Sequence, residues 1–230
     1  MSATAVNMSA PDLRFWQTTV GKKAVMAVSG VILFGFVVGH LLGNLQIFLP
    51  PETINRYSAA LKAVPTLLWG TRILLLVSVT LHIWTSIQLT HLQAVARPVK
   101  YVKKVNAHST YASRTMMWSG PILLAFIIFH LLHFTFGTIH PGGRFDSHNV
   151  YNNVVTGFRV WPVSLFYIIA MLMLCYHLYH GLWSMLQTLG VSHPVYTPWL
   201  RAIAKIAAVA IFLGEISIPI SVLAGFIRPV

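Results

Sequence analysis

Four long apolar stretches of this chain each carry a histidine at almost the same count from where the stretch begins. From Lys23 to His40 is 17 residues, from Pro65 to His82 is 17, from Arg114 to His130 is 16 and from Pro162 to His177 is 15. At a helical rise of 1.5 Å per residue, each ring lies roughly 23–25 Å along its own helix. Successive membrane-crossing helices run in opposite directions. Across an apolar core about 30 Å thick, the first and third histidines therefore share one depth, and the second and fourth share the other. Two facing histidine pairs are expected, one near each membrane surface.

The stretches also set the fold class. Five runs, roughly 24–49, 66–92, 115–138, 161–188 and 202–226, are each long enough to cross a bilayer. They are continuous rather than alternating, which argues against β-barrel strands. The chain is 56% hydrophobic and only 9% charged, and its four acids (Asp12, Glu52, Asp146 and Glu215) cannot give an ordinary globule a charged surface. The expected architecture is all-α: an integral membrane bundle of five transmembrane helices, forming one domain over residues 1–230. Arg72, Arg201 and Lys205 lie near helix ends, where long side chains snorkel to the headgroups.

A net charge of +12 would point to nucleic acid in a soluble protein. Here the basic residues flank apolar runs, and no Gly-rich phosphate loop or nucleic-acid signature accompanies them, so no nucleic-acid partner is expected. The single cysteine, Cys175, excludes an internal disulfide and a covalently attached c-type haem. The first 20 residues lack the apolar core of a signal peptide, and the stretch after Lys22 and Lys23 suits a retained span.

Orientation follows from the Lys and Arg distribution. One side receives ten: Arg14, Lys22, Lys23, Arg97, Lys100, Lys103, Lys104, Arg114, Arg201 and Lys205. The other receives six: Arg56, Lys62, Arg72, Arg144, Arg159 and Arg228. The positive-inside rule places the N-terminus in the cytoplasm and, with five spans, the C-terminus outside.

An internal echo bears on the pairing. SGVILFGFVVGHLL (Ser29–Leu42) aligns without gaps on SGPILLAFIIFHLL (Ser119–Leu132), with eight of fourteen positions identical. Both segments run in the same direction, which sets His40 opposite His130 at one depth and selects His130 over His133 in HLLH. In HLYH, depth alone leaves His177 and His180 both open. His91, His108, His140, His148 and His193 fall at helix ends or in connections and read as interfacial residues.

Neutral imidazole is a good ligand for haem iron, and two axial imidazoles close both faces of the ring to other ligands. An ionisable side chain in hydrocarbon defaults to a functional reading, packing glue between helices being the alternative. Four at matched depths point to two bis-histidine haem b groups, carriers of electrons rather than binders of oxygen. Gly35, Gly39 and Gly43 recur every fourth residue on the first helix. Such a stripe either packs closely against a neighbouring helix or leaves room for a flat macrocycle, and Gly181 admits the same two readings.

At this point VVGHLLGN, the single histidine of LHIWTSIQL, FHLLHF and YHLYHGLWSMLQTLG become recognisable. They resemble the cytochrome b membrane-anchor subunit of bacterial succinate dehydrogenases and fumarate reductases, of the single-chain, five-helix, di-haem type. The likeness covers essentially the whole chain, and HGLWSMLQTLG is its most specific piece. It implies that His40 and His130 hold an outer haem, and that His82 and His177 hold an inner one, with His180 an extra histidine. It further implies that electrons pass from a flavoprotein subunit through an iron–sulfur subunit on the cytoplasmic side to a membrane quinone, menaquinone being the expected type. The subunit itself would not act on succinate, and its place would be the bacterial inner membrane. Some fumarate reductases of this type carry a glutamate just before the fourth-helix ligand; here the positions read Leu174, Cys175 and Tyr176. Glu52, between the first two spans with Arg56 and Tyr57 nearby, is the expected quinone-side acid. Two other readings share the buried histidines: a cytochrome b subunit of a formate dehydrogenase or hydrogenase, and a haem-free transporter with a histidine-lined path.

Overall fold

The computed structural model describes residues 14–96 and 110–230. Among them there are helices and no strands. Five helices are long and apolar enough to cross a membrane: α1 (Thr19–Asn44), α3 (Pro65–Val95), α4 (Tyr111–His130), α6 (Trp161–Thr188) and α7 (Thr197–Leu223). Two shorter helices, α2 (Pro51–Lys62) and α5 (Val150–Arg159), occupy the connections after α1 and before α6. By length and composition this is a multi-pass membrane protein.

Local chemistry explains the helix boundaries. The Thr18 side chain accepts from the Gly21 N–H, Thr110 from Ser113, and Asn149 from Asn152, so α1, α4 and α5 begin on side-chain caps. Proline stands in the first turn of α2, α3, α6 and α7, where its missing N–H costs nothing. The chain leaves α6 through Gly190 at φ +83°, a left-handed conformation suited to glycine.

The observed spans differ from the sequence reading mainly at their ends. The first starts at Thr19, where Thr18 caps it, and the second runs on to Val95. The third begins at Tyr111 and finishes in a π turn, Leu131–Thr135, closed by the Phe136 N–H on the Leu131 carbonyl at 2.9 Å. Two prolines lie inside helices, Pro121 in α4 and Pro219 in α7. The basic connection with Arg97, Lys100, Lys103 and Lys104, together with His108 and Asp12, lies outside the described residues.

The long helices pack as α1 on α3, α4 on α6 and α6 on α7, with α1 also meeting α6 and α7. Large apolar side chains such as Leu76, Ile87, Trp118 and Ile203 face outward, more than half exposed, as lipid contact requires. Arg72 lies over the Trp69 ring at 5.1 Å and Arg201 over Trp183 at 4.5 Å, so both guanidinium groups rest on aromatic faces.

The largest buried cluster sits at one end, where Ile47, Ile54, Val155, Phe158 and Ile218 come together. There α2 folds back beside α5. The Tyr151 N–H donates to Asn55 Oδ1 at 3.0 Å, and Lys62 donates to the Ser147 carbonyl. The C-terminus is tied in by Tyr151, donating to the Arg228 carbonyl at 3.1 Å, and by Asn152, donating to that of Val230 at 2.8 Å. One end of the bundle is thus closed by a polar-stitched cap.

Candidate functional site: two histidine pairs in the bundle

Because α1 and α4 run parallel, with α3 and α6 antiparallel to them, the four buried histidines meet in two places. His40 of α1 faces His130 of α4 with ring centroids 5.7 Å apart and planes at 90°. His82 of α3 faces His177 of α6 at 6.1 Å and 54°. The first pair lies toward the capped end, the second toward the opposite end.

The remaining histidines fall elsewhere. His180 is half-buried, and no ring contact joins it to another histidine among the described residues. His133 is fully buried and turned away from the His40 ring toward Tyr167 and His140. His91, His148 and His193 are exposed, as expected for interfacial residues. His140, read as interfacial, is instead half-buried with its ring 5.0 Å from that of His133.

The hydrogen bonds of these rings decide where their protons sit. Ser29 Oγ donates to its own helix, to the Val25 carbonyl at 2.8 Å, so it has lone pairs left for a neighbour. His82 Nδ1 lies 3.3 Å from that oxygen and 3.2 Å from the Met26 carbonyl. Two acceptors at Nδ1 put the proton there and leave Nε2 with a bare lone pair. His177 repeats the arrangement. Its Nδ1 is 3.3 Å from Ser119 Oγ, whose own proton is directed at the Met116 carbonyl. His130 Nδ1 is 3.3 Å from the Tyr167 hydroxyl. Among the described residues, every hydrogen bond made by the four paired rings runs through Nδ1.

That donor chemistry fits a metal held between the rings. Two imidazoles on opposite sides of one ion, each nitrogen about 2.0–2.1 Å from it, have centroids roughly 6.4 Å apart. The observed 5.7 and 6.1 Å are somewhat shorter, so modest opening of each pair would admit an ion. Ring nitrogens fixed by Nδ1–H···O bonds from neighbouring groups are the usual support of a histidine ligand. Each pair offers two imidazoles, and no cluster of three or more His, Cys, Asp or Glu side chains suited to a metal occurs among the described residues. A group that brings its own equatorial ligands, as haem does, suits two-histidine sites; a bare ion would be under-coordinated.

Space beside the rings agrees. A Cβ built at Gly35 or Gly39 would meet nothing within 4 Å, and the same holds at Gly181, one turn past His177. Close helix packing therefore does not account for the stripe at Gly35 and Gly39. Gly43 differs: a Cβ there would lie 2.8 Å from Tyr57 Cε1, so this glycine admits the Tyr57 ring of α2.

The acids are dispersed. Glu52 is exposed in the first turn of α2. Asp146 is exposed and structural: its carboxylate accepts from the His148 N–H at 2.8 Å, and Asn153 binds its backbone. Glu215 is half-buried on α7, next to Gly214, whose Cβ position is 2.9 Å from Leu41 Cδ1. That contact sets Glu215 at the level of the His40 pair.

Sequence reasoning missed Ser29, Ser119 and Tyr167. The first two carried a signal, since both begin the echoed segment eleven residues before a histidine. Tyr167 carried none, as one aromatic among many. Compared with known protein families, with curated proteins and with solved structures, the chain finds no match.

Proposed function

We propose that this chain is the di-haem cytochrome b anchor of a succinate:quinone oxidoreductase, binding one haem b between His40 and His130 and another between His82 and His177. The observation that carries the reading is the meeting of four histidines in two pairs at 5.7 and 6.1 Å, each on helices that cross the membrane. Bound there, haem would supply one-electron transfer through six-coordinate iron.

The chain's own residues would do the rest. Ser29, Met26 and Ser119 hold the inner rings through Nδ1, which would leave each Nε2 free to take the iron. Phe36 stacks on His40 at 5.3 Å, and Tyr167 holds His130. Ser29 is level with the inner pair and His40 belongs to the outer one. Their eleven-residue separation on α1 sets the two levels about 16 Å apart along the bundle. A fixed separation of that order is what a two-carrier wire across a bilayer requires.

The choice of succinate and fumarate chemistry over another quinone-linked dehydrogenase rests on the resemblance of VVGHLLGN, FHLLHF and HGLWSMLQTLG to that family. The same resemblance supports flavoprotein and iron–sulfur partners on the cytoplasmic side of a bacterial inner membrane. A reduced-minus-oxidised visible spectrum of membranes carrying the chain should show b-type bands from two haems per chain. Subunits that copurify should contain flavin and iron–sulfur clusters and oxidise succinate. A spectrum without haem would end the reading, and formate- or hydrogen-oxidising partners would redirect it.

A further inference from the structure

The second histidine of HLLH is fully buried and, on the reading above, ligates nothing. The π turn Leu131–Thr135 carries His133 against α6, where its Nδ1 lies 3.0 Å from the Tyr167 hydroxyl. The same hydroxyl is 3.3 Å from His130 Nδ1. One phenol thus bridges two imidazoles while owning a single proton. It can donate to one ring and must accept from the other.

Ligand chemistry fixes which. If His130 gives Nε2 to iron, its proton is on Nδ1, and that N–H donates to the Tyr167 oxygen. The Tyr167 proton then goes to His133 Nδ1, and His133 carries its own proton on Nε2. Each group in the chain gives one hydrogen bond onward: His130 to Tyr167, Tyr167 to His133. Without an acceptor at His133, the hydroxyl would be free to turn its proton toward His130, opposing the tautomer that ligation needs.

The surroundings make room for this arrangement. Tyr167 is buried among Phe126, Phe129 and Phe158, with ring centroids 4.9–6.1 Å away, which shields its hydroxyl from solvent. His133 stacks on Phe134 at 3.8 Å. A Cβ at Gly157 of α5 would stand 2.7 Å from His133 Nε2, so only glycine leaves the ring its place. Among the described residues, His133 Nε2 has no hydrogen-bond partner. An imidazole kept fully buried with one nitrogen unsatisfied is expensive, and its visible return is the bond to Tyr167.

We infer that Tyr167 and His133 are positioning residues for the outer ligand His130: His133 takes the Tyr167 proton so that the Tyr167 oxygen accepts from His130 Nδ1, fixing the ring's tautomer and enriching its ligating nitrogen. The inference rests on the proposed haem reading. It also gives the two haems unlike supports, a phenol with a buried histidine behind it at the outer site and backbone-anchored serines at the inner one.

The test is redox titration of the visible spectrum, with the full chain in its native membranes. Tyr167→Phe should retain two haems and raise the midpoint potential of one, because a ligand robbed of its acceptor donates less to ferric iron. The shifted component should be the one missing from His40→Ala, and the other should not move. His133→Leu should shift the same component in the same direction. His133→Asn, whose side-chain oxygen can take the Tyr167 proton, should move it back toward the parent value. Two haems at unchanged potentials in Tyr167→Phe would overturn the inference and leave the haem reading standing. If Tyr167→Phe does not assemble, identical outer potentials in His133→Leu and His133→Asn would overturn it. A parent chain with no haem removes both.

Discussion

Ser119 Oγ lies 3.3 Å from His177 Nδ1, the same separation that Ser29 Oγ keeps from His82 Nδ1. The two serines are equivalent in the echoed segments, each eleven residues before a paired histidine on its own helix. Each of the parallel helices α1 and α4 therefore gives a ring to one pair and a hydroxyl to the other. The repeated unit is a two-helix hairpin, α1 with α3 and α4 with α6, and the histidine pairs form where the two units face each other.

Removing those hydroxyls should be felt at one site only. Ser29→Ala and Ser119→Ala should each keep two haems and raise the potential of the inner one, with the double variant shifting it further. Ser119→Ala should have the larger single effect, because His82 keeps the Met26 carbonyl at 3.2 Å when Ser29 is lost. Redox titration reads both. Movement of the outer component instead would mean the pairs have been assigned to the wrong supports.

Ligand loss separates the four rings from their neighbours. His40→Ala or His130→Ala should remove the outer haem, and His82→Ala or His177→Ala the inner one. His180→Ala and His133→Ala should leave two haems per chain, the latter with an altered outer potential. Pyridine haemochrome content of purified protein gives the count. A variant at His180 with one haem, beside one at His177 with two, would transfer the fourth-helix role to His180.

How much of this was legible follows from what the residues have to do. Helix class, span number and the His40–His130 pairing were readable because hydrocarbon demands long apolar runs and a parallel repeat keeps equal depths equal. The helix α2 had a readable start in its Pro51 and Glu52, yet its 12 residues are too polar to register as a span. The supports were not readable. Whether Ser29 caps, packs or holds a ring depends on rotation about α1, which spacing leaves free. Tyr167 reaches two histidines only because the π turn rotates His133 back toward α6. A single extra residue in one turn leaves little trace in a hydrophobic pattern.

His140 lies outside the spans, in the connection that closes the capped end. Burial pushes its pKa below the ordinary histidine value, against a smaller opposing influence from the His133 backbone. A folded state that resists protonation more than the unfolded chain loses stability as pH falls through and below the ordinary value of 6.5. The 136–149 connection should accordingly show less amide protection, relative to the intrinsic exchange rate at each pH, at pH 5 than at pH 7. His140→Asn should flatten that dependence. Equal acid sensitivity in the variant would place the responsible group elsewhere.

Five spans leave the two ends of the chain on opposite sides. A reporter fused after Lys104 should be cytoplasmic and one after Val230 external, the side of the cap built from α2 and α5. Fusions that both report cytoplasm would mean an even number of crossings after Lys104, incompatible with α4, α6 and α7 each spanning the membrane.

The capped end offers a place for the quinone. A quinol exchanging electrons at the outer haem also exchanges protons with water, so it needs a proton-carrying group near that end. Glu52 stands exposed in the first turn of α2. Tyr57, just over one turn further along the same helix, packs onto Gly43, three residues past His40. That contact draws α2 over the outer pair. Glu52→Gln should keep both haems and keep succinate oxidation by an artificial acceptor that bypasses the anchor, while slowing quinone turnover by roughly 10²-fold or more, the usual scale for a lost acid–base group. Gly43→Ala, whose new methyl collides with Tyr57, should lift α2 and lower quinone turnover by a smaller factor, again with both haems present. Assay with a water-soluble quinone analogue distinguishes the cases. Full quinone turnover in Glu52→Gln would remove Glu52 from the site, and a loss confined to Gly43→Ala would leave α2 as its wall with another residue carrying the proton.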